Sequence, residues 1–323
     1  MTESITDKSI VKRVSERYAG QRLDAVLANM FPDYSRSRLQ QWIRDGSILL
    51  DGAQVKPRTR LAGDELLELN IHQPSPPDGD LPQAMPLDIV FEDDAIIVLN
   101  KPAGLVVHPA IGHANGTLVN ALLYHDANLA KVPRAGIVHR LDRGTTGLMV
   151  VARNLRAHNH LVAELQQRSI RREYQAVVQD VITAGGVIDA PIGRHSRDRL
   201  RMCVRDDGKP ARTYYRVIDR FREHTHVQLQ LDSGRTHQIR VHMQHIRHPI
   251  VGDPAYGGRH RLPRQAEQAL IERLHDFKRQ ALHAFRLTLL HPESGEQLTW
   301  QTALPQDMQL LLAALKDDTK RHG

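Results

Sequence analysis

The first quarter of the chain alternates apolar and polar positions with the periods of short helices and strands. Two amphipathic helices are predicted, the second capped by Asp33 or Ser35, and a hairpin turn is predicted at Asp51-Gly52. Residues 16–72 are therefore expected to form one small α/β domain, with residues 1–15 as a mobile tail. The apolar positions behind this prediction are Leu23, Val26, Leu27 and Met30 in the first helix, Leu39, Trp42 and Ile43 in the second, and Ile48, Leu49, Leu50, Leu66, Leu67, Leu69 and Ile71 in the strands.

A proline-rich segment follows at residues 73–86. It contains Pro74, Pro76, Pro77, Pro82 and Pro86. This composition disrupts both helices and central strands, because proline lacks a backbone donor and fixes φ. The segment is predicted to be an interdomain linker.

From residue 87 to residue 323 the pattern changes to short apolar runs that predict more strands than helices. Since the strands do not alternate strictly with helices, we predict an α+β domain with a mixed, largely antiparallel sheet. The predicted strands are 89–91, 96–99, 136–139, 147–151, 174–178, 226–231, 285–290 and 297–301, and the predicted helices are 117–124, 155–168, 236–246 and 307–315.

The charge balance of the 323 residues limits the classes of binding partner. The net charge is +7 and the pI is about 9.7, which favours a polyanion such as nucleic acid, although a basic enzyme without such a partner fits equally well. Aromatic residues make up only 4%, so an extended base-stacking surface is not expected. The single cysteine, Cys203, allows no internal disulfide and fits a cytoplasmic location. No apolar run is long enough for a bilayer, and no membrane partner is expected.

The densest group of polar residues is His139–Gly147, which lies between two apolar runs. A charged loop between buried strands is held rigidly, as active-site loops are. Asp142, flanked by Arg140 and Arg143, is expected to be ionised and able to act as a nucleophile or a base. The alternative is a hairpin in which Asp142 only binds the turn.

A second polar cluster covers Gly234–His242 and predicts a helix with a positively charged start. Such a start favours a nearby anion, either a phosphate or a catalytic carboxylate, and makes Arg235 a substrate-binding candidate. The alternative is an ordinary surface helix. His242, His245 and His248 suggest a metal site, but no Glu or Cys has ligand spacing nearby, so no metal is expected.

A third cluster, residues 194–212, carries a surplus of positive charge. Arginine matches phosphate oxygens with its planar fork, so Arg197, Arg199 and Arg201 are RNA-binding candidates, although most charged runs are merely solvated.

Two other motif interpretations were weighed for residues 139–146. The sequence Asp142–Thr146 has some likeness to loops with a phosphorylated aspartate, and His139–Asp142 to a kinase catalytic loop. Neither is supported, because the accompanying magnesium-binding carboxylates and glycine-rich loop are missing from the sequence.

Taken together, the motifs resemble the RluA family of pseudouridine synthases. The resemblance covers about 200 residues, and its departures are Gly144, where many relatives carry an acidic residue, and Thr146, where many carry serine. Residues 16–72 resemble a small RNA-binding domain named after a small-subunit ribosomal protein. The motifs are His139–Leu148, Asn100–Gly104, Arg172–Tyr174, Gly234–Arg240, His248–Asp253 and Ala281–Ala284.

The resemblance implies a role for each matched residue. Asp142 matches the catalytic aspartate, Arg240 its ion-pair partner and Tyr174 the aromatic that packs against uracil. Arg140 matches the residue that fills the gap left by a flipped uridine, and Ile239 an apolar wall of the pocket. In the small domain, the basic helix with Arg36, Arg38 and Arg44 is expected to contact phosphates.

The implied activity is uridine-to-pseudouridine isomerisation in large-subunit (23S) rRNA, in a stem-loop at the subunit interface. The implied partner is this rRNA or the assembling large subunit, with the protein as a monomer and without a cofactor or metal. A non-catalytic RNA-binding or assembly factor, and the same chemistry on another RNA, are the alternatives. Whether Asp142 attacks the sugar, attacks the ring or removes a ribose proton stays open.

Overall fold

The chain folds into two compact units, Met1–Pro77 and Asp78–Gly323. The computed structural model describes residues 8–31, 36–71, 81–109, 115–258 and 261–322. The division falls inside the proline-rich segment 73–86, of which residues 73–80 lie outside the described part.

The N-terminal unit combines two helices with a three-stranded antiparallel sheet of order β1-β3-β2. The apolar faces predicted for both helices pack together with the strands into one core that includes Leu27, Trp42 and Leu67. Asp51 and Gly52 both have positive φ, as a tight two-residue turn requires. The elements are β1 (Lys8–Arg13), α1 (Leu23–Met30), α2 (Arg36–Asp45), β2 (Ile48–Leu50) and β3 (Leu66–Ile71).

Strand β1 corrects the prediction of a mobile tail at residues 1–15. Residues 8–13 pair with β3, with Ile10 opposite Leu69, while residues 1–7 lie outside the described part. The strand was missed because three of its six residues are charged and Val11 is exposed. Main-chain pairing with β3, which is not visible in the local pattern, holds it in place.

The C-terminal unit is built on a nine-stranded sheet. Its order is β4-β5-β6-β13-β7-β12-β11-β8, with β14 added beside β13, while β9 and β10 form a separate hairpin. The strands are β4 (Ile89–Glu92), β5 (Ile96–Lys101), β6 (Thr146–Ala152), β7 (Arg171–Gln179), β8 (Gly186–Asp189), β9 (Ile192–Arg194), β10 (Met202–Val204), β11 (Arg212–Arg220), β12 (His224–Leu231), β13 (Leu282–Leu290) and β14 (Gln297–Gln301).

Among the described strands of this sheet, β6 and β13 form the one parallel pair and the other neighbours are antiparallel. The predicted α+β class with a mixed, largely antiparallel sheet is therefore confirmed. The helices are α3 (Leu118–His125), α4 (Leu155–Gln167), α5 (Gln238–His245), α6 (Gln268–Asp276) and α7 (Gln306–His322). Short 3-10 turns are Glu16–Tyr18, Ala127–Lys131 and Pro133–Gly136. No described helix is both long enough and apolar enough to cross a membrane.

The centre of the sheet is buried on both faces. Alternate residues of β5 enter different cores, with Ile97 and Leu99 in one and Ile96 and Val98 in the other. β6 follows the same pattern, and all seven of its residues are buried. The loop that precedes β6 is consequently joined to a strand that is buried on both faces.

The segment before this loop is not the strand predicted at 136–139. Residues 133–136 form a 3-10 turn in which Arg134, Ala135 and Gly136 all have positive φ. A Cβ on Gly136 would lie 1.9 Å from the main-chain oxygen of Ala152, so this glycine allows the turn to press against β6. The apolar run Ile137-Val138 predicted a strand because burial alone does not reveal such a turn.

Candidate active site

Six of the predicted site residues line a single cleft of about 860 Å³ in the C-terminal unit. Three segments meet there: the loop before β6, strand β7, and the β12–α5 connection with the start of α5. The six residues are Arg140, Asp142, Tyr174, Arg235, Ile239 and Arg240.

An ion pair joins the loop before β6 to helix α5. Nη1 of Arg240 donates to Oδ2 of Asp142 at 2.9 Å, and the Asp142 side chain keeps 17% of its surface exposed to the cleft. The ion pair expected from the resemblance is therefore present. The guanidinium that binds Asp142 belongs to Arg240 on α5. Arg140, two positions before Asp142 in the sequence, is exposed in the cleft lining. The turn that contains Asp142 is closed by the main chain, because Thr145 N donates to the main-chain oxygen of Asp142 and not to its side chain.

Arg240 is fixed by a second carboxylate that sequence analysis noted only as part of a motif. Nε and Nη2 of Arg240 donate to the two oxygens of Asp253, at 2.7 and 2.8 Å, and the Asp253 side chain is fully buried. Burial opposes the charge of Arg240, but the hydrogen bonds and charges of Asp253 and Asp142 outweigh it and raise the pKa of Arg240. The guanidinium can therefore hold Asp142 in one orientation.

Tyr256 supports the same arrangement from the side. Its ring centre lies 4.9 Å from the Arg240 guanidinium carbon. Its hydroxyl accepts from Met202 N and lies 2.8 Å from Nδ1 of His237, to which it can donate. Nε2 of His237 then points toward Asp142, 3.9 Å from Oδ1. We call Asp142, His237, Arg240, Asp253 and Tyr256 the α5 network.

His237 explains why α5 begins later than predicted. It caps the helix with φ +57°, in the left-handed region, so the helix starts at Gln238 rather than at Thr236. Burial lowers the pKa of His237, with Asp142 acting in the opposite direction. The side chain is thus neutral when it faces Asp142. No sequence pattern marked it, because positive φ at a histidine depends on its tertiary neighbours.

The loop that carries Asp142 is held from inside by Lys101. Nζ of this fully buried side chain donates to the main-chain oxygens of Pro102, Leu105 and Arg143, at 2.8, 3.0 and 3.2 Å. Burial lowers its pKa to about 7, although the nearby charge of Asp142 acts against this shift. Lys101 belongs to the motif Asn100–Gly104, but its position under the loop appears only in the structure.

Neighbouring side chains complete the support of the loop. Nε2 of Gln280 donates to Oγ1 of Thr145 at 2.9 Å, and a Cβ on Gly144 would lie 2.5 Å from Oε1 of Gln280. Nε2 of His139 accepts from Val150 N at 3.1 Å, and burial lowers the pKa of His139 to about 3. His139 is therefore a neutral structural anchor.

Tyr174 and Ile239 form the apolar lining, and both are buried. Burial raises the pKa of Tyr174, so its hydroxyl is protonated. Arg235 is exposed, and its Nε donates to the main-chain oxygen of Pro210 at 3.2 Å. The cleft thus presents one held carboxylate, one aromatic ring and several cationic side chains.

The predicted RNA-binding arginines fall in two places. Arg197 and Arg199 are exposed between β9 and β10, and Arg201 places its guanidinium carbon 5.1 Å from the Tyr256 ring centre, which links this hairpin to the α5 network. Arg44 is exposed on α2, whereas the side chains of Arg36 and Arg38 lie outside the described part.

Two of the three histidines that suggested a metal site, His242 and His248, form hydrogen bonds within the protein. Nδ1 of His242 hydrogen-bonds Oγ1 of Thr213 and Nε2 donates to the main-chain oxygen of Ala190, which leaves neither nitrogen for a metal. Nδ1 of His248 bonds the main-chain oxygen of Gln179. Within the described ranges, no group of three or more His, Cys, Asp or Glu side chains could hold a metal ion.

Comparison with known proteins gives consistent results for both units. A family model described as RNA pseudouridylate synthase matches residues 95–245, and an S4 domain model matches residues 21–67. The chain is 54% identical to the ribosomal large subunit pseudouridine synthase D of Pseudomonas aeruginosa, over 96% of this chain and 97% of that protein. It is 53% identical to the protein of the same name from Xanthomonas campestris pv. campestris, over 95% and 93%. Among solved structures, human RNA pseudouridylate synthase domain containing 4 has a TM-score of 0.55 and 26% identity, covering 71% of this chain and 92% of that chain.

Proposed function

This chain belongs to the RNA pseudouridylate synthase family, and on that premise we propose that it converts specific uridines of large-subunit (23S) rRNA to pseudouridine. The observation that carries the proposal is the Asp142 carboxylate, held by the buried Arg240 inside an arginine-rich cleft. The relatives that match almost the full chain bear the name of a large-subunit rRNA enzyme, which supports the choice of RNA.

The reaction requires few functional groups from the protein. The bond between ribose C1′ and uracil N1 breaks, the base turns, and C1′ bonds to C5, while the proton lost from C5 is balanced by one gained at N1. Because no electrons enter or leave, the proposed mechanism uses no redox cofactor, and it assigns no metal. Asp142 is the proposed catalytic carboxylate, acting on the sugar, on the ring or as a proton acceptor.

The other site residues are proposed to hold the base for this carboxylate. Arg240 orients Asp142, and Tyr174 packs against the uracil ring with Ile239 as the opposing apolar contact. The uridine has to leave its helix first, which costs a few kcal/mol. Arg140 is exposed at the cleft and is long enough to enter the gap that the uridine leaves in the base stack. Arg235 is proposed to contact the RNA strand beside this gap.

The N-terminal unit and the β9–β10 hairpin are proposed to supply further RNA contacts. The S4 match at 21–67 supports this for the arginines of the α2 sequence, Arg36, Arg38 and Arg44. Arg197, Arg199 and Arg201 are proposed to bind phosphates beside the cleft. A chain without residues 1–80 should bind RNA more weakly and with a shallower salt dependence, because fewer counterions are released. An unchanged affinity and salt slope would assign the N-terminal unit another role.

The decisive experiment is the variant Asp142→Asn. It keeps the size of the side chain and a hydrogen bond to Arg240, but lacks the charge. We expect no pseudouridine on rRNA transcripts while RNA affinity and the melting temperature stay close to wild type. Turnover near the wild-type rate would refute the mechanism. If wild type itself binds rRNA without converting it, the protein is an RNA-binding or assembly factor.

We further propose that the substrate is a stem-loop at the subunit interface, presented in rRNA or in the assembling large subunit, and that the protein acts as a cytoplasmic monomer. Mapping pseudouridines in the rRNA of cells with and without the gene tests the substrate. Loss of pseudouridine from large-subunit rRNA is expected. A loss confined to another RNA would keep the chemistry and replace the substrate.

A further inference from the structure

Arg172 is a buried cation in the cleft that has no side-chain partner among the residues that the structure describes. It is 7% exposed, and its Nε is shielded from solvent without a hydrogen bond. Across the described ranges, no hydrogen bond or ion pair involves this side chain. A buried polar atom without a hydrogen bond is costly, and folded proteins rarely contain one, so an external ligand that supplies the missing acceptor would stabilise this side chain.

The carboxylates of the cleft are engaged elsewhere. Asp142 binds Arg240. Asp232 accepts a hydrogen bond from the Tyr214 hydroxyl at 3.2 Å and lies 3.9 Å from Nη1 of Arg168. Six arginines line the cleft with these two aspartates, namely Arg134, Arg140, Arg168, Arg172, Arg235 and Arg240. The lining therefore has an excess of positive charge, and no carboxylate of the described residues forms an ion pair with Arg172.

The sequence leaves room for this guanidinium. A Cβ on Gly234 would lie 2.8 Å from Nη1 of Arg172, so any larger residue would displace it. Arg172 also stands two positions before Tyr174 on β7, and both line the cleft from the same face of the strand. Such neighbours are separated by about 6.5 Å along a strand. This span is comparable to the distance between a base and the phosphate of its own nucleotide.

We propose that Arg172 binds a backbone phosphate of the RNA adjacent to the target uridine, while Tyr174 contacts the base. A phosphate neutralises the guanidinium and matches its planar fork, whereas a uracil carbonyl would leave the buried charge uncompensated. The inference rests on the proposed function, since it requires an RNA strand in this cleft. Arg172 then positions the nucleotide and takes no part in bond breaking.

The test removes the charge from each side of the contact in turn. The probes are copies of a stem-loop of large-subunit rRNA that contains the target uridine, and each copy carries one methylphosphonate at a different phosphate around that uridine. Each probe is compared with an RNA that has the same neighbouring 2′-deoxy substitution and a normal phosphate. The proteins are wild type, Arg172→Met and Arg172→Lys, with Arg171→Met as the matched control, because Arg171 is the exposed neighbour on the same strand.

We expect Arg172→Met to lower kcat/KM by about 10- to 100-fold, mainly through KM, as loss of a charged hydrogen bond does. The slope of log Kd against log salt should fall by about 0.7 to 0.9. One methylphosphonate should weaken wild type equally and leave Arg172→Met unchanged. Arg172→Lys should recover part of the affinity for unmodified RNA, and Arg171→Met should behave as wild type.

Several outcomes would overturn the inference. One such outcome is that the loss of affinity caused by Arg172→Met adds to the loss caused by the methylphosphonate at every phosphate tested. Another is a marked fall in the melting temperature of Arg172→Met, because an unpaired buried charge does not stabilise the fold. Affinity is measured along with turnover. The affinity measurement detects the phosphate contact even if the RNA is bound without being converted. Absence of pseudouridine with wild type would instead refute the proposed function.

Discussion

The α5 network and the β7 side of the cleft each contain a buried arginine, in opposite surroundings. Arg240 is 6% exposed and Arg172 is 7% exposed. Arg240 binds two carboxylates and packs on Tyr256, while Arg172 has no such partner in the described chain. Equal burial therefore serves two purposes. Arg240, with all three guanidinium nitrogens hydrogen-bonded, is suited to hold a carboxylate in place, and Arg172, without such bonds in the described chain, is suited to bind an external ligand.

Lys101 is an intermediate case in the same region. Lys101 is more completely buried than either arginine, but its acceptors are three neutral main-chain oxygens. Carbonyl dipoles offset burial less well than carboxylates do, which agrees with its lowered pKa. The three cations thus differ in how completely the protein compensates their charge, and this difference can be measured.

The largest expected effect is a difference in stability between two identical substitutions. Arg240→Met leaves the buried Asp253 without its partner, so we expect the free energy of unfolding to fall by about 3–5 kcal/mol. Arg172→Met removes an uncompensated charge and should not lower it. Urea unfolding followed by circular dichroism compares the two. Adding Asp253→Asn to Arg240→Met should restore part of the lost free energy of unfolding. Equal losses in Arg240→Met and Arg172→Met would show that the two arginines do not differ in this way.

A smaller effect is expected from the titration of Lys101. Its pKa is about 7 in the folded chain, against 10.5 when unfolded. Between these values the unfolded chain binds more protons, so the free energy of unfolding should rise as the pH rises from 7 towards 10.5. Below pH 7 both states are protonated and this contribution is constant. Lys101→Met should show a shallower rise than wild type, and parallel curves would show that Lys101 keeps an ordinary pKa.

The smallest effect is expected from Gly234→Ala. The new Cβ, 2.8 Å from Nη1 of Arg172 before any adjustment, should displace the flexible guanidinium rather than the backbone. We expect RNA affinity to fall by less than about tenfold, with stability unchanged. The displaced guanidinium would still contact the phosphate, but with less favourable hydrogen-bond geometry. In the Arg172→Met background the same change should have no effect on affinity. A further loss there would mean that Gly234 acts independently of Arg172.

Local pattern predicted the elements whose burial is periodic. β6, β7, β12 and β14 and helices α3 and α4 lie within a few residues of their predicted ranges, because their apolar spacing reflects the cores on which they pack. Strands β8 to β11 and helix α6 were not predicted. Strands β8, β9 and β10 have only three or four residues each, too few for a clear pattern, and they are ordered by pairing with neighbouring segments.

The sequence by itself determined the residue types and the loop that carries the site. Asp142 was singled out because a charged loop between apolar runs is a local feature, whereas the roles of Tyr174 and Arg240 came from the family resemblance. Only the tertiary structure decided which charges meet. Arg240 reaches Asp142 across 98 positions of sequence and binds Asp253 as well, while Arg172 is left unpaired. Ion pairing depends on distances of a few ångströms between segments far apart in the chain, and those distances are fixed by packing of the whole sheet.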